Sequence, residues 1–190
     1  MGAKKDHILF TAEKLFGSYG IHKTTMDDIA KKARMGKSTL YYYFESKEDI
    51  FGAIIQKDLQ LFKIKLEDAL NNAPTPPKKV YTYITARMKH LKELVNFYTT
   101  LREEYLEHYA FVENIRTDFA KYELDTLTSL LKDGVNKKVF RVKDINGTAR
   151  MISFALKGLE DALFIKKEST DIEQDGRQML NLILHGIEAR

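Results

Sequence analysis

An all-α fold is predicted for this 190-residue chain by three observations. All three prolines fall within residues 74–77, so nowhere else does a proline ring forbid a helix. Apolar residues recur at three- and four-residue spacing along most of the chain, and strand-like alternation is hard to find. Side chains able to cap a helix stand where the apolar stripes begin. About nine helices are expected, arranged as a helix-turn-helix head over residues 1–46 and a helical body over residues 47–190.

The first helix runs from about Lys4 to Tyr19, with Ile8, Leu9, Ala12, Leu15, Phe16 and Tyr19 on one face and Gly20 as a left-handed stop. Thr24 and Thr25 each precede an aspartate by three residues (Asp27 and Asp28), and either pair makes a capping box for a short second helix ending near Ala33. A third spans about Lys37–Phe44. Ser46 to Asp49 form another capping start, opening a long helix whose apolar residues run from Ile50 to Leu70. Beyond the proline turn, Thr75 caps a helix that has Pro76 at its first position and a stripe of Val80, Ile84, Met88, Leu91 and Val95. Two helices are expected between Asn96 and Asn136, breaking near His108–Phe111. Residues 134–143 read as a turn, Asp144 caps a helix to about Ile165, and Thr170 with Glu173 caps the last.

Composition narrows the function. Cysteine is absent, which excludes disulfides, thiolate metal sites and thiol catalysis. No apolar run reaches membrane-spanning length and no secretory signal pattern opens the chain, so a cytoplasmic protein is expected. The net charge of +4 is unevenly placed. Of 31 basic and 27 acidic residues, eight and four lie within residues 1–44, leaving 23 of each for the rest. A basic head on a neutral body suits a polyanionic partner.

The residues from Thr24 to Lys47 carry the functional signal. Two short helices flank a tight turn at Arg34-Met35-Gly36, and Ile29, Ala30 and Ala33 are placed to pack against Leu40 and Phe44. Small residues on the first helix let the second cross it closely, the geometry in which a second helix enters the major groove. Lys37, Ser38 and Thr39 offer hydrogen bonds to base edges or phosphates. Tyr41, Tyr42 and Tyr43 follow on successive faces, so they cannot all enter one core; tyrosine hydroxyls suit phosphates and ring edges suit thymine methyls.

This segment resembles the TetR family of transcription regulators. The resemblance rests on Thr25, Ile29-Ala30 and Ala33, on Lys37-Ser38-Thr39-Leu40-Tyr41-Tyr42-Tyr43-Phe44, and on Ser46-Lys47-Glu48. The preceding Ala12, Leu15-Phe16, Gly20-Ile21 and Thr24-Thr25 fit the family's first helix and its exit, so roughly the first fifty residues are covered. The resemblance implies a homodimer that binds double-stranded operator DNA, usually a repressor, released by a small ligand held in the body. It places Thr25 at the cap of the second helix and against a phosphate. It sets Lys37, Ser38, Thr39, Tyr41, Tyr42 and Tyr43 on the recognition helix, and Lys47 against a phosphate at the start of the fourth. Two positions depart from the family's pattern: Arg34 stands where glycine is usual, and Gly36 where serine or threonine is usual.

Other readings of the same residues are weaker. Gly36-Lys37-Ser38 ends like a phosphate-binding P-loop, but Lys31 occupies the position of the required first glycine. Glu104 and His108 lie four apart, yet a helix-surface pair explains them better than a metal, and neither metal nor cofactor is expected. No catalytic constellation stands out. The remaining alternatives are a helical enzyme whose site the sequence does not reveal, and a dimeric helical adaptor, or a ligand-binding protein, that retains a degenerate head.

The body is rich in aromatic residues, which suit either a core or an apolar cavity for a small apolar or aromatic effector. Tyr98, Arg102 and Tyr105, spaced four and three apart, are the pocket candidates, and Arg87 and His90 are further groups able to orient a polar end. The penultimate helix is apolar on two sides. One stripe holds Ile152, Leu156, Leu159 and Leu163; the other holds Met151, Phe154, Gly158 and Ala162. A helix apolar on two sides is buried on two sides. The first stripe, with Leu180, Ile183, Leu184 and Ile187 of the last helix, is the expected dimer interface.

Overall fold

The computed structural model describes residues 2–97, 109–164 and 172–187. Among these there are eight helices and no β-strand: α1 (Gly2–Tyr19), α2 (Met26–Lys32), α3 (Lys37–Tyr43), α4 (Lys47–Asn71), α5 (Pro76–Phe97), α6 (Tyr109–Asn136), α7 (Ile145–Phe164) and α8 (Ile172–Ile187). The all-α expectation holds, with about eight helices in place of nine. The additional helix expected after Asn96, and the Thr170–Glu173 cap, fall wholly or partly outside the described residues. No described helix is long and apolar enough to cross a membrane.

The caps set the helix starts. Ser46 Oγ accepts from the Asp49 amide at 3.0 Å, while Asp49 Oδ2 accepts from the Ser46 amide at 3.0 Å, closing a capping box at the start of α4. Thr75 Oγ1 accepts from the Lys78 amide, with Pro76 at the first position of α5. Asp144 Oδ1 accepts from the Gly147 amide at 2.8 Å and opens α7. Gly20, with φ of 84°, ends α1.

The chain divides into two compact units, and the boundary falls inside α4. The first comprises Met1–Leu61 with Asn96–Arg116; the second comprises Phe62–Val95 with Thr117–Arg190. In the first unit, Ile8, Ala12 and Phe16 of α1 are buried together with Ile21, Ile29, Leu40, Ile50 and Phe51. Phe16 and Phe51 meet edge-to-face with ring centres 6.1 Å apart. An Asp6–Lys57 ion pair at 2.6 Å and a hydrogen bond from His7 Nε2 to the Ala33 carbonyl add polar ties.

The second unit buries Phe62, Leu66 and Leu70 of α4 with Tyr83, Ile84 and Leu91 of α5. Leu127 and Leu131 of α6, Ile152 and Leu156 of α7 and Leu180 of α8 are buried there too. Its core also holds charge. Arg87 donates through Nε to Glu123 at 3.1 Å and through Nη2 to Glu160 at 2.7 Å. Tyr83 and Ser153 hydroxyls complete Glu123 at 3.1 and 2.9 Å. All three charged side chains are nearly inaccessible, so each relies on its partners to offset the loss of water. Burial and the adjacent Glu123 carboxylate push the Tyr83 hydroxyl well above the usual tyrosine range. The Phe62 ring stacks on His90 at 4.1 Å.

Candidate nucleic-acid interface

The site is built on α2, the turn after it, and α3. Of the two threonine–aspartate pairs, Thr25 and Asp28 make the capping box. Thr25 Oγ1 accepts from the Asp28 amide at 3.2 Å, and Asp28 Oδ2 accepts from the Thr25 amide at 2.9 Å. The Thr25 hydroxyl also donates to Asp28 Oδ2 at 2.6 Å. These bonds favour the ionised form and hold the Asp28 carboxyl below its usual range. Thr24 is buried instead and donates to the Gly20 carbonyl at 2.7 Å.

The turn closes as a Schellman motif. The Met35 amide donates to the Ala30 carbonyl at 3.0 Å and the Arg34 amide to the Lys31 carbonyl at 3.2 Å, with Arg34 at φ of 54°. This left-handed position is where the family usually has glycine, so the departure at Arg34 keeps the turn and accepts strain. Gly36 has φ of −66° and caps α3 without a side-chain bond.

Helix α3 turns Leu40 inward, and Ile29, Ala30, Ala33, Leu40 and Phe44 are all buried. The opposite face is open. Lys37 and Ser38 are exposed, Thr39 is half-buried, Tyr41 is exposed, and Tyr42 is 71% exposed with Tyr43 edge-on to it at 5.1 Å. A large aromatic left this bare on a short helix faces solvent or a partner.

Both lysines assigned to DNA by sequence have partners within the head. Lys47 Nζ donates to the carbonyls of Ile21 at 2.7 Å and of His22 and Thr24 at 3.3 Å each. Lys37 Nζ lies 2.7 Å from Asp27 Oδ1 and 2.9 Å from Oδ2. That hydrogen bond, and then the aspartate charge, hold the Lys37 amine above its usual range. Thr25, Asp27, Lys37, Tyr41, Glu45 and Lys47 are among the residues lining a concavity of about 470 Å³ on this surface. Neither lysine's partner was legible: a main-chain carbonyl has no residue type, and Asp27 and Lys37 lie on different helices, ten residues apart.

The remaining predicted residues fall in three groups. Tyr98, Arg102 and Tyr105 lie outside the described residues. Arg87, a group suited by sequence to orient a ligand, is committed to Glu123 and Glu160. Of the expected interface, Ile152, Leu156 and Leu180 belong to the core of their own chain, because the second unit needs that stripe to close. Leu159, Ile183 and Leu184 are half-buried, and the side chains of Leu163 and Ile187 lie outside those described. The apolar side chains left bare are Met151, Phe154 and Leu182, at 57%, 64% and 77% exposure.

A capped short helix, a tight turn and a second helix with its polar and aromatic side chains outward define a helix-turn-helix DNA-binding protein. Residues 8–54 match the sequence model described as bacterial regulatory proteins, tetR family. The likeness extends past the head. The chain is 25% identical over 157 residues to the HTH-type transcriptional regulator QacR of Staphylococcus aureus, covering 82% of this chain and 83% of that protein. It is 24% identical to the HTH-type transcriptional repressor KstR2 of Mycolicibacterium smegmatis over 97% of this chain and 91% of that one. The crystal structure of a transcriptional regulator from Cytophaga hutchinsonii superposes with a TM-score of 0.81 at 26% identity, covering 97% and 98% of the two chains. Residues 8–54 thus carry the DNA-binding head of the TetR family of helix-turn-helix transcription regulators, and the rest of the chain is similar in length and fold to regulators of this kind.

Proposed function

We propose that this regulator is a homodimeric repressor that reads an inverted-repeat operator through residues 1–46 and releases it when residues 47–190 bind a small effector. The observation that carries the reading is the open face of α3, where Lys37, Ser38, Tyr41 and Tyr42 stand outward while Leu40 anchors the helix from behind. Lys37, Ser38 and Thr39 at its N-terminus then meet base edges, and Tyr41, Tyr42 and Tyr43 meet phosphates and thymine methyls. Thr25 and Lys47, at the starts of α2 and α4, flank the site as its phosphate contacts.

The dimer reading is supported by the bare stripe of Met151 and Phe154 on α7 and by Leu182 on α8. A side chain added at Gly158 or Gly186 meets nothing within 4 Å, so both helices present an open, shallow surface to a second copy. Two heads held this way reach half-sites about 34 Å apart. The effector is a small apolar or aromatic molecule, for which Tyr98, Arg102 and Tyr105 remain the candidates. Because α4 contributes to both units, its displacement is the proposed route from effector to head. A tenfold loss of operator affinity needs about 1.4 kcal/mol of preference for the released state.

Selection of the purified protein against random duplex DNA tests this, with Thr39→Ala/Tyr42→Ala as control. Enrichment of a palindrome that the double variant fails to enrich is expected. A folded dimer that enriches nothing at any salt concentration would leave the adaptor reading in its place. Phe154→Glu with Leu182→Glu tests the dimer face, and sedimentation should report a folded monomer.

A further inference from the structure

Lys37 and Lys47 differ in what holds them. Lys47 is bound by neutral carbonyls, whereas Lys37 is chelated by both oxygens of a carboxylate at the surface. Lys37 and Asp27 are 60% and 62% exposed, and the pair joins the first turn of α2 to the first residue of the recognition helix. Two anionic oxygens at hydrogen-bond distance from one ammonium have the charge and acceptor geometry of the two non-bridging oxygens of a phosphodiester.

We propose that Asp27 is an intramolecular stand-in for a DNA phosphate. It occupies Lys37 while the head is free or loosely bound, and yields it only when α3 is docked on its operator. The proposal rests on the DNA-reading role of the head and adds a specificity residue to it. Sequence-independent binding is driven by pairing of cations with phosphates and the counterions this releases. A lysine already paired with a carboxylate contributes less to that encounter, and the carboxylate itself is repelled by the duplex. In the operator complex, docking of Ser38, Thr39 and the tyrosines aims Lys37 at its own acceptor and offsets the loss of Asp27. Asp27 thus widens the gap between operator and random DNA mainly by weakening the second, a device of selection against the wrong partner.

The experiment is a salt titration of binding to a mixed-sequence duplex by the native protein and by Asp27→Asn, Lys37→Ala and the double variant. The Thr25–Asp28 capping box does not involve Asp27, so α2 keeps its start in these variants. Asp27→Asn is expected to tighten random-duplex binding severalfold and to steepen the log–log salt slope by about 0.9, one further phosphate contact. That gain should vanish in the Lys37→Ala background. On the palindrome selected as described above, the same substitution should change affinity less, so the specificity ratio falls. A gain of equal size with and without Lys37 would reduce Asp27 to a simple negative charge and overturn the proposal. An unchanged slope would do the same. Failure of the native protein to bind any duplex, at any salt concentration, would instead remove the DNA-reading role, and the proposal with it.

Discussion

The ammonium of Lys47 donates to the main-chain carbonyl of Ile21 at 2.7 Å, fastening the first residue of α4 to the segment that leaves α1. The carbonyls of His22 and Thr24 share the same nitrogen. The resemblance to the family gives this lysine a phosphate. The contacts give it an additional task in the free protein, because the loop it gathers leads directly into the Thr25 cap.

Lys47→Ala should therefore destabilise the head in the absence of DNA. Hydrogen bonds from a charged donor contribute about 1.5–3 kcal/mol, so a loss of about 2 kcal/mol is expected in the opening free energy of α1 and α2 amides, read by native-state hydrogen exchange. Unchanged exchange together with weakened DNA binding would limit Lys47 to a phosphate contact.

Arg34 occupies the left-handed C′ position of α2 and Gly36 caps α3 without a side chain. Arg34→Gly should relieve a strain of about 1 kcal/mol, less the entropy that glycine costs in the unfolded chain. Gly36→Ser should add a few tenths of a kcal/mol through a hydroxyl cap. Thermal unfolding of the double variant should show a higher Tm than the native chain. A lower Tm would mean that the Arg34 side chain contributes more than its backbone strain costs.

The Thr25–Asp28 box has a pH signature. The folded pKa of Asp28 is depressed, so its contribution is complete at neutral pH and is lost as pH falls through that lowered value. Thr25→Ala removes the hydroxyl that stabilises the carboxylate. NMR titration should then show Asp28 returning toward the ordinary carboxylate range, with about 1 kcal/mol less helix stability at neutral pH. An Asp28 titration identical in both proteins would deny the hydroxyl its role.

In the second unit, Arg87→Ala leaves Glu123 and Glu160 buried without their cation. Breaking a buried pair by removing one partner costs about 3–5 kcal/mol, so denaturant midpoints should fall sharply. Arg87→Ala with Glu123→Gln and Glu160→Gln should recover part of the loss. A single variant as stable as the native protein would refute the charge argument.

Much of this architecture was legible in the sequence, for reasons that particular residues make plain. Thr25, Ser46, Thr75 and Asp144 all stand where a stripe begins, and each caps its helix. The outward face of α3 was legible because three consecutive tyrosines cannot share one buried side. The choice between Thr24 and Thr25 was not, since both have the right aspartate three residues on and only the packing of Thr24 onto Gly20 separates them. The two stripes of α7 are both apolar, so periodicity alone does not say which one the chain keeps for itself. Arg87 reaches across 73 residues to Glu160, beyond any local pattern. Even so, it lies between Ile84 and Leu91, and Glu123 between Phe119 and Leu127, so a charge on each buried stripe marked the need for an opposite partner.

That triad has a mechanical consequence. A helix held only by methyl groups can roll a fraction of a turn and find new neighbours. One whose inward side chain is a guanidinium locked to carboxylates on two other helices cannot roll without stranding a charge in a dry interior. The middles of α5 and α6 and the C-terminal part of α7 are thus geared together, so that none of the three rolls without the others.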